Sequence, residues 1–270
     1  DKDFTVAKSD YTAGYTFMAT SDTAWEFASA ADGGLYPREN PARARDYLPD
    51  DAAYINLSQF FGSAPAEMGV LFEKFNAMEK KTMILDLRNN GGGYVSVMQD
   101  IAGYFVSSIV TEDRVAMTAE YRNGRKQLWP CTKQKGAALI SEDTDIYVLA
   151  NSGTASASEA LIGVLVSYGF LDYEDIFISD FSETYLEWAG AGAKTARTYG
   201  KGIMQSTFVN RGTGEALTLT TARIGWPNGK CIHDVALSEK DGCTLSPAEW
   251  TATKNDDELR GIIEVINGRE

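Results

Sequence analysis

Two short apolar runs, each followed by small residues and then a helix-like segment, constrain the fold of this chain most strongly. Residues 82–87 and 146–150 are continuous apolar stretches, typical of strands that are buried on both faces. A turn rich in small residues follows each run and leads into a segment of helical pattern, at 95–105 and 157–168. Strands that alternate with helices in this way predict an α/β fold with parallel strands and right-handed crossovers.

The flanking segments extend this pattern. Residues 64–80 place apolar side chains at the spacing of one helical face. The remaining predicted elements are strands at 53–57, 202–208 and 216–223 and a last helix at 257–266. We therefore predict one core domain over residues 51–270.

Residues 1–50 are predicted to form a separate N-terminal segment. Loose alternation of aromatic and β-branched residues over 4–18 suggests a strand or a hairpin. Ser21 and Asp22 are suitable caps for a short helix over 23–31. Residues 37–49 are predicted to be a loop or connector.

Composition excludes several classes of function. The 270 residues carry a formal net charge of −13, which disfavours binding to nucleic acid or to anionic lipid. No apolar run is long enough to span a bilayer. The chain opens on Asp1-Lys2-Asp3 without a signal segment or an initiator Met, as expected of a mature or trimmed chain.

The cysteines and the histidine argue against a metal site. There are three cysteines and one histidine and no CxxC pair, so neither a zinc site nor another cofactor is expected. Cys231 and Cys243 flank a short segment and could form a disulfide, although free thiols fit the sequence equally well.

The first candidate site is the glycine-rich turn at residues 86–93, DLRNNGGG. Its three consecutive glycines allow positive φ angles and let backbone N–H groups approach a ligand closely. Such a turn between a strand and a helix can bind an anion or an oxyanion, or it can be a plain connection.

The second candidate is Ser156, at the start of the helix that follows the second apolar run. The N-terminus of a helix stabilises negative charge and therefore suits a nucleophile. Ser156 and Glu159 also fit a capping box, which requires no catalysis.

The third candidate is Lys201, which lies between Gly200 and Gly202. Small neighbours let its amine approach another group, and burial in a dry cleft would favour the uncharged form that a base requires. An exposed lysine in a turn is the alternative. A Ser-His-Asp arrangement would have to use His233, the only histidine, so lysine is the natural base for Ser156.

Five segments, in this order, resemble the C-terminal processing peptidases, also called tail-specific proteases, which are related to the tricorn core and the interphotoreceptor retinoid-binding protein. Residues 83–93 are similar to the family pattern ILDLRxNPGG, with Gly91 in place of the usual proline. The other matching segments are 54–60, 148–159, 198–205 and 217–233.

The resemblance implies a crotonase-like α/β core of stacked β-β-α units and a serine endopeptidase that acts near the C-termini of peptide or protein substrates. In the family pattern the serine at position 156 is the nucleophile, the lysine at 201 is the base, and Gln205 orients that lysine. We expect amides of the glycine loop and of the helix start to hold the oxyanion. The full predicted site is Ser156, Lys201, Gln205, Gly92, Gly93 and Ala157.

The chain departs from the family pattern in two ways. About twenty extra residues separate the serine from the lysine, and we place this insertion within 172–197 as a lid, a dimer contact or a substrate wall. Residues 1–50 are too short for a complete PDZ domain, the module with which many relatives capture a substrate C-terminus.

The resemblance also implies an extracytoplasmic bacterial protein, and a dimer is compatible with it. A non-catalytic binder of a small apolar ligand or peptide on the same fold is the main alternative. The third reading is an acyl-CoA enzyme with the same core. Such an enzyme would need a basic pocket, and the sequence of this acidic chain does not indicate one.

Overall fold

A computed structural model describes residues 13–29, 34–109, 114–179, 196–246 and 257–269. Twelve strands in the described residues form one sheet of eight strands and a second sheet of four. The first sheet contains, in spatial order, β12 (Thr244–Leu245), β9 (Ile176–Ser179), β8 (Asp145–Asn151), β5 (Thr82–Asp86), β4 (Ala52–Leu57), β1 (Ala13–Ala19), β2 (Ala24–Ser29) and β3 (Leu35–Glu39). The second contains β10 (Ile203–Val209), β11 (Ala216–Gly225), β6 (Val115–Tyr121) and β7 (Lys126–Pro130).

The parallel half of the large sheet determines where the loops lie. Strands β4, β5, β8 and β9 pair in parallel, with Leu85 opposite Ile55 on one side and opposite Val148 on the other. Because the carboxyl ends of parallel strands meet at the same edge, the turns after β5 and β8 are neighbours.

Helices cover both faces of this sheet. They are α1 (Ala64–Ala77), α2 (Val95–Val106), α3 (Ala157–Ser167) and α4 (Asp257–Asn267). Alternate residues of one strand point to opposite faces, so Met83 and Leu85 of β5 pack in the core with α1, α2 and α3, while Ile84 between them packs with α4. The mixed α/β fold is therefore as predicted.

The predicted elements of the core are confirmed to within a few residues, namely strands β4, β5, β8, β10 and β11 and helices α1 to α4. The structure adds β6 and β7, for which the sequence analysis made no prediction. Cys231 and Cys243 are both free thiols, so the disulfide alternative is not realised. No helix in the described ranges has the length and apolar character needed to cross a bilayer.

The prediction of a helix over residues 23–31 is wrong, because β2 begins at Ala24. Trp25 and Phe27 are buried and alternate with Glu26, which ion-pairs with Arg43. This period of two matches a strand, and pairing with β1 and β3 supplies the backbone hydrogen bonds that a helix would have made internally.

One further prediction for the N-terminal segment needs correction. The loop expected over 37–49 includes the end of β3 and a short 3-10 turn at Pro41–Arg43. Residues 1–12 lie outside the described ranges, but β1 pairs antiparallel with β4 and so continues the core sheet. The described part of the N-terminal segment is thus built into the same sheet.

The predicted insertion over 172–197 is described at its two ends. Residues 176–179 are β9, a strand of the large sheet that pairs in parallel with β8. Residues 180–195 lie outside the described ranges.

The packing of α3 against Trp226 can be tested by substitution. A Cβ added at Gly163 would lie 2.3 Å from the Trp226 ring, which is 1% exposed. We expect Gly163→Ala to lower the free energy of unfolding by about 1–3 kcal/mol, since overpacking forces the ring to move. Gly91→Ala is the control, because a Cβ there meets nothing within 4 Å. Equal denaturation midpoints for the two variants would contradict this packing.

Candidate active site

The turns after β5 and β8 are joined into one unit by hydrogen bonds. The carbonyl oxygen of Asn90, in the glycine-rich turn, accepts the Ala155 N–H and the Ser158 hydroxyl, both at 2.9 Å. The Thr154 hydroxyl donates to the Leu87 carbonyl at 2.8 Å. These bonds are buried, so the position of one turn fixes the position of the other.

Ser156 has a backbone conformation that few residues other than glycine adopt. Its φ of 61° and ψ of −114° occur at the junction between β8 and α3, where it is the N-cap residue of α3. Such a conformation costs about 1–3 kcal/mol and persists only where the surroundings enforce it. It turns the chain sharply from strand to helix and leaves the side chain half-buried at the edge of a cleft.

The glycine-rich turn lies against the backbone of Ser156. Gly92 has a φ of 94°, and a Cβ there would be 2.8 Å from both the Ala157 nitrogen and the Ser156 Cβ. The Gly92 N–H donates to the Asn90 side-chain oxygen at 2.9 Å, so this amide is already engaged. The N–H groups of Gly93 and Ala157 have no hydrogen-bond partner within the described ranges, and both residues line the cleft.

Glu159 connects Ser156 to the segment that carries Lys201. Its side chain is fully buried and accepts four hydrogen bonds. The donors are the N–H of Ser156 at 2.9 Å, the N–H of Lys201 at 2.9 Å, the N–H of Gly200 at 2.7 Å and the hydroxyl of Thr198 at 2.6 Å. Burial raises the pKa of Glu159, and the four donors oppose that shift.

Ser156, Lys201 and Gln205 line a single cleft of about 290 Å³. No hydrogen bond joins the Ser156 hydroxyl to the Lys201 amine, or Lys201 to Gln205, among the described residues. The rest of the wall is mainly apolar and includes Phe61, Val95, Met98, Met117, Ile203, Met204 and Ile224. Within this cleft Ser156 and Lys201 are half-buried, and Gln205 is exposed.

The structure thus brings the six predicted site residues to one cleft, five of them as lining residues and Gly92 just beneath. The sequence analysis assigned Glu159 only to a capping box and missed its three bonds to residues 198–201. It also missed Asn90, which engages the Gly92 amide. The only local signal for these roles was that both are polar residues inside the matching segments.

His233 lies outside this cleft. It lines a neighbouring groove rather than the wall that holds Ser156. Among the described residues, no group of three or more His, Cys, Asp or Glu side chains is placed to hold a metal ion.

Comparison with known proteins identifies the family of this chain. Residues 51–172 match the model of peptidase family S41. The chain carries a peptidase family S41 domain. It is 30% identical over 184 residues to a carboxyl-terminal-processing protease of Synechocystis. The aligned stretch covers 68% of this chain and 36% of that relative. The chain is 26% identical over 202 residues, 73% of its length, to the carboxy-terminal processing protease CtpB of Bacillus subtilis, again 36% of the relative.

The structural comparison shows a similar fold in a solved structure. The fold is similar to that of a photosystem II D1 C-terminal processing protease, with a TM-score of 0.54 and 19% identity over 91% of this chain and 60% of the other. The resemblance to the C-terminal processing peptidases is therefore confirmed. The chain spans about a third of the length of the curated relatives cited above.

The four hydrogen bonds that Glu159 accepts generate a stability prediction. Glu159→Gln keeps the shape of the side chain but turns a carboxamide N–H₂ donor toward groups that are themselves donors. We expect the free energy of unfolding to fall by more than about 2 kcal/mol, because buried donors lose their acceptor. The exposed Glu142→Gln is the control and should unfold like the parent chain. Identical chemical denaturation curves for both variants would show that the four bonds contribute nothing.

Proposed function

We propose that this chain is a serine endopeptidase in which Ser156 is the nucleophile and Lys201 is the general base. The observation that carries the proposal is the enforced conformation of Ser156, a serine at a strand-to-helix turn whose side chain enters the same cleft as Lys201. Glu159 supports the pairing, because one carboxylate oxygen accepts the backbone N–H groups of both residues.

In the proposed reaction the uncharged amine of Lys201 takes the proton of the Ser156 hydroxyl as the oxygen attacks the peptide carbonyl carbon. The resulting tetrahedral oxyanion collapses, the C–N bond breaks, and the Lys201 ammonium gives its proton to the leaving amine. A water molecule then attacks the acyl-enzyme while Lys201 accepts its proton. Release of the new carboxyl group restores the Ser156 hydroxyl.

We propose that the amides of Gly93 and Ala157 hold the oxyanion. Both N–H groups are free of other partners in the described chain, and a donor of this kind typically contributes about 3–4 kcal/mol to transition-state stabilisation. Gly92, which was predicted to share this role, is better suited to bring the two turns together, since its own N–H is bonded to Asn90. We propose that Gln205 orients the Lys201 amine when substrate fills the cleft.

We further propose a crotonase-like core of stacked β-β-α units over residues 51–270, an N-terminal segment at 1–50 without a complete PDZ domain, and an insertion around 172–197. The parallel strands followed by helices support the core assignment. The names of the relatives support a peptide or protein substrate that is cut near its C-terminus. We also propose an extracytoplasmic bacterial location, as the sequence resemblance implies.

The catalytic assignment is tested with paired substitutions. Ser156→Ala removes the attacking oxygen and Lys201→Ala removes the base. Each should lower the rate of peptide hydrolysis by at least about 10⁴-fold, as losses of nucleophile and base do in other serine peptidases. Ser152→Ala and Lys133→Ala, in a neighbouring turn and at an exposed site, should hydrolyse the same fluorogenic peptide at the parent rate.

Circular dichroism spectra that match the parent chain would show that the two inactive variants are folded. Hydrolysis by Ser156→Ala at the parent rate would overturn the proposal. So would failure of the parent chain to cut any peptide or unfolded protein, a result that the binding-protein alternative predicts.

A further inference from the structure

Three methionines contribute to the apolar wall of the candidate active site. Met98 lies on α2, Met117 on β6 and Met204 on β10, and all three line the cleft that holds Ser156 and Lys201. A thioether is apolar and polarizable, so it suits a wall that contacts the side chains of a substrate. It is also a group that peroxides oxidise.

The seven methionines of the chain all lie within the described ranges, and they differ sharply in exposure. Five are at most 1% exposed, namely Met18, Met68, Met83, Met98 and Met117. The other two, Met78 and Met204, are half-buried. Because the oxidation of a methionine follows its exposure, a dissolved oxidant reaches these two first.

The two accessible methionines lie in different surroundings. Met78 is the C-cap residue of α1 and is not among the residues that line the cleft. Met204 lies between Ile203 and Gln205, which line the cleft with it, and three residues after Lys201. Oxidation of Met204 therefore changes the wall of the candidate active site, whereas oxidation of Met78 does not.

We propose that Met204 is a modification site at which hydrogen peroxide lowers the activity of the chain, an inference that rests on the proposed peptidase function. The peroxide transfers one oxygen atom to the thioether sulfur of Met204. The O–O bond breaks, the sulfur is oxidised to a sulfoxide, and the hydrogen peroxide is reduced to water.

The sulfoxide changes the chemistry of the cleft wall. It adds a polar oxygen that accepts hydrogen bonds, where the neighbouring wall is formed by the apolar side chains of Met98, Ile203 and Ile224. A substrate that fills the cleft covers this oxygen and removes it from water, which costs binding free energy and lowers kcat/KM. The loss is reversible, because methionine sulfoxide reductases restore the thioether.

The cysteines also react with peroxides, but two of the three are protected. Cys131 and Cys243 are buried, and burial raises the pKa of each thiol to about 12, so the reactive thiolate is scarce near neutral pH. Cys231 is exposed. All chains in the test therefore carry Cys231→Ser.

The test treats the full chain with hydrogen peroxide and follows two quantities over time. Peptide mass spectrometry measures the oxygen added at each methionine, and a fluorogenic peptide measures hydrolysis. We expect Met78 and Met204 to gain oxygen before the five buried methionines. Hydrolysis should fall at least about fivefold as Met204 is converted, and methionine sulfoxide reductases should restore it.

Met204→Leu and Met78→Leu are the matched variants, because leucine is apolar, similar in volume to methionine and has no thioether. After the same treatment Met204→Leu should keep the rate that it had before treatment, whereas Met78→Leu should lose activity as the parent chain does. The inference is refuted if Met204 stays unmodified while Met78 is oxidised. It is equally refuted if Met204→Leu loses activity like the parent.

The same treatment of the Ser156→Ala chain separates this inference from the peptidase proposal. Mapping the added oxygen needs no turnover, and the affinity of that chain for a labelled peptide, measured by anisotropy, should weaken as Met204 is oxidised. The peptidase proposal fails on a different result, which is hydrolysis by Ser156→Ala at the parent rate.

Discussion

The buried carboxylate of Glu159 is the interaction on which the rest of the site depends. One oxygen accepts the backbone N–H groups of Ser156 and Lys201, and the other accepts Gly200 and Thr198. Between 39 and 42 positions of sequence separate Glu159 from the three residues that it binds in the Lys201 segment. A fully buried carboxylate is stable only when its lone pairs accept hydrogen bonds. The four donors satisfy the carboxylate, and the carboxylate in turn satisfies the four donors.

One of the residues bonded to Glu159, Ser156, lies in a strained turn. Ser156 keeps a positive φ because bonds from Ala155 and Ser158 to Asn90 hold both sides of the turn against the glycine-rich loop. Gly92 permits that contact because any side chain there would collide with the Ser156 Cβ. Gly92 thus allows the two backbones to approach each other closely, and we propose that Gly93 supplies an amide to the oxyanion.

The sequence was sufficient to predict the strands and helices of the parallel core, because the patterns that indicate them lie within single short segments. Continuous apolar runs identified β5 and β8, and one helical face identified α1. It failed at β2, where Ser21 and Asp22 were taken for helix caps and the alternation of Trp25 and Phe27 was overlooked. Strand pairing is a tertiary interaction, and it overrode the local capping signal.

The candidate site was predicted in its residue types but not in its connections. Ser156 and Lys201 were found from their neighbours and from the family pattern, whereas the reach of Glu159 to residues 198–201 depends on how distant segments pack. The engagement of the Gly92 amide by Asn90 likewise depends on a loop conformation that composition does not specify.

The most direct measurement is covalent labelling with a serine-reactive fluorophosphonate, followed by mass spectrometry of the intact chain and its peptides. If Ser156 is a nucleophile activated by Lys201, the chain should gain one adduct, on Ser156, and the Lys201→Ala chain should gain none. An unmodified Ser156 with an adduct on another serine, or labelling of Ser156 that persists without Lys201, would contradict the assignment.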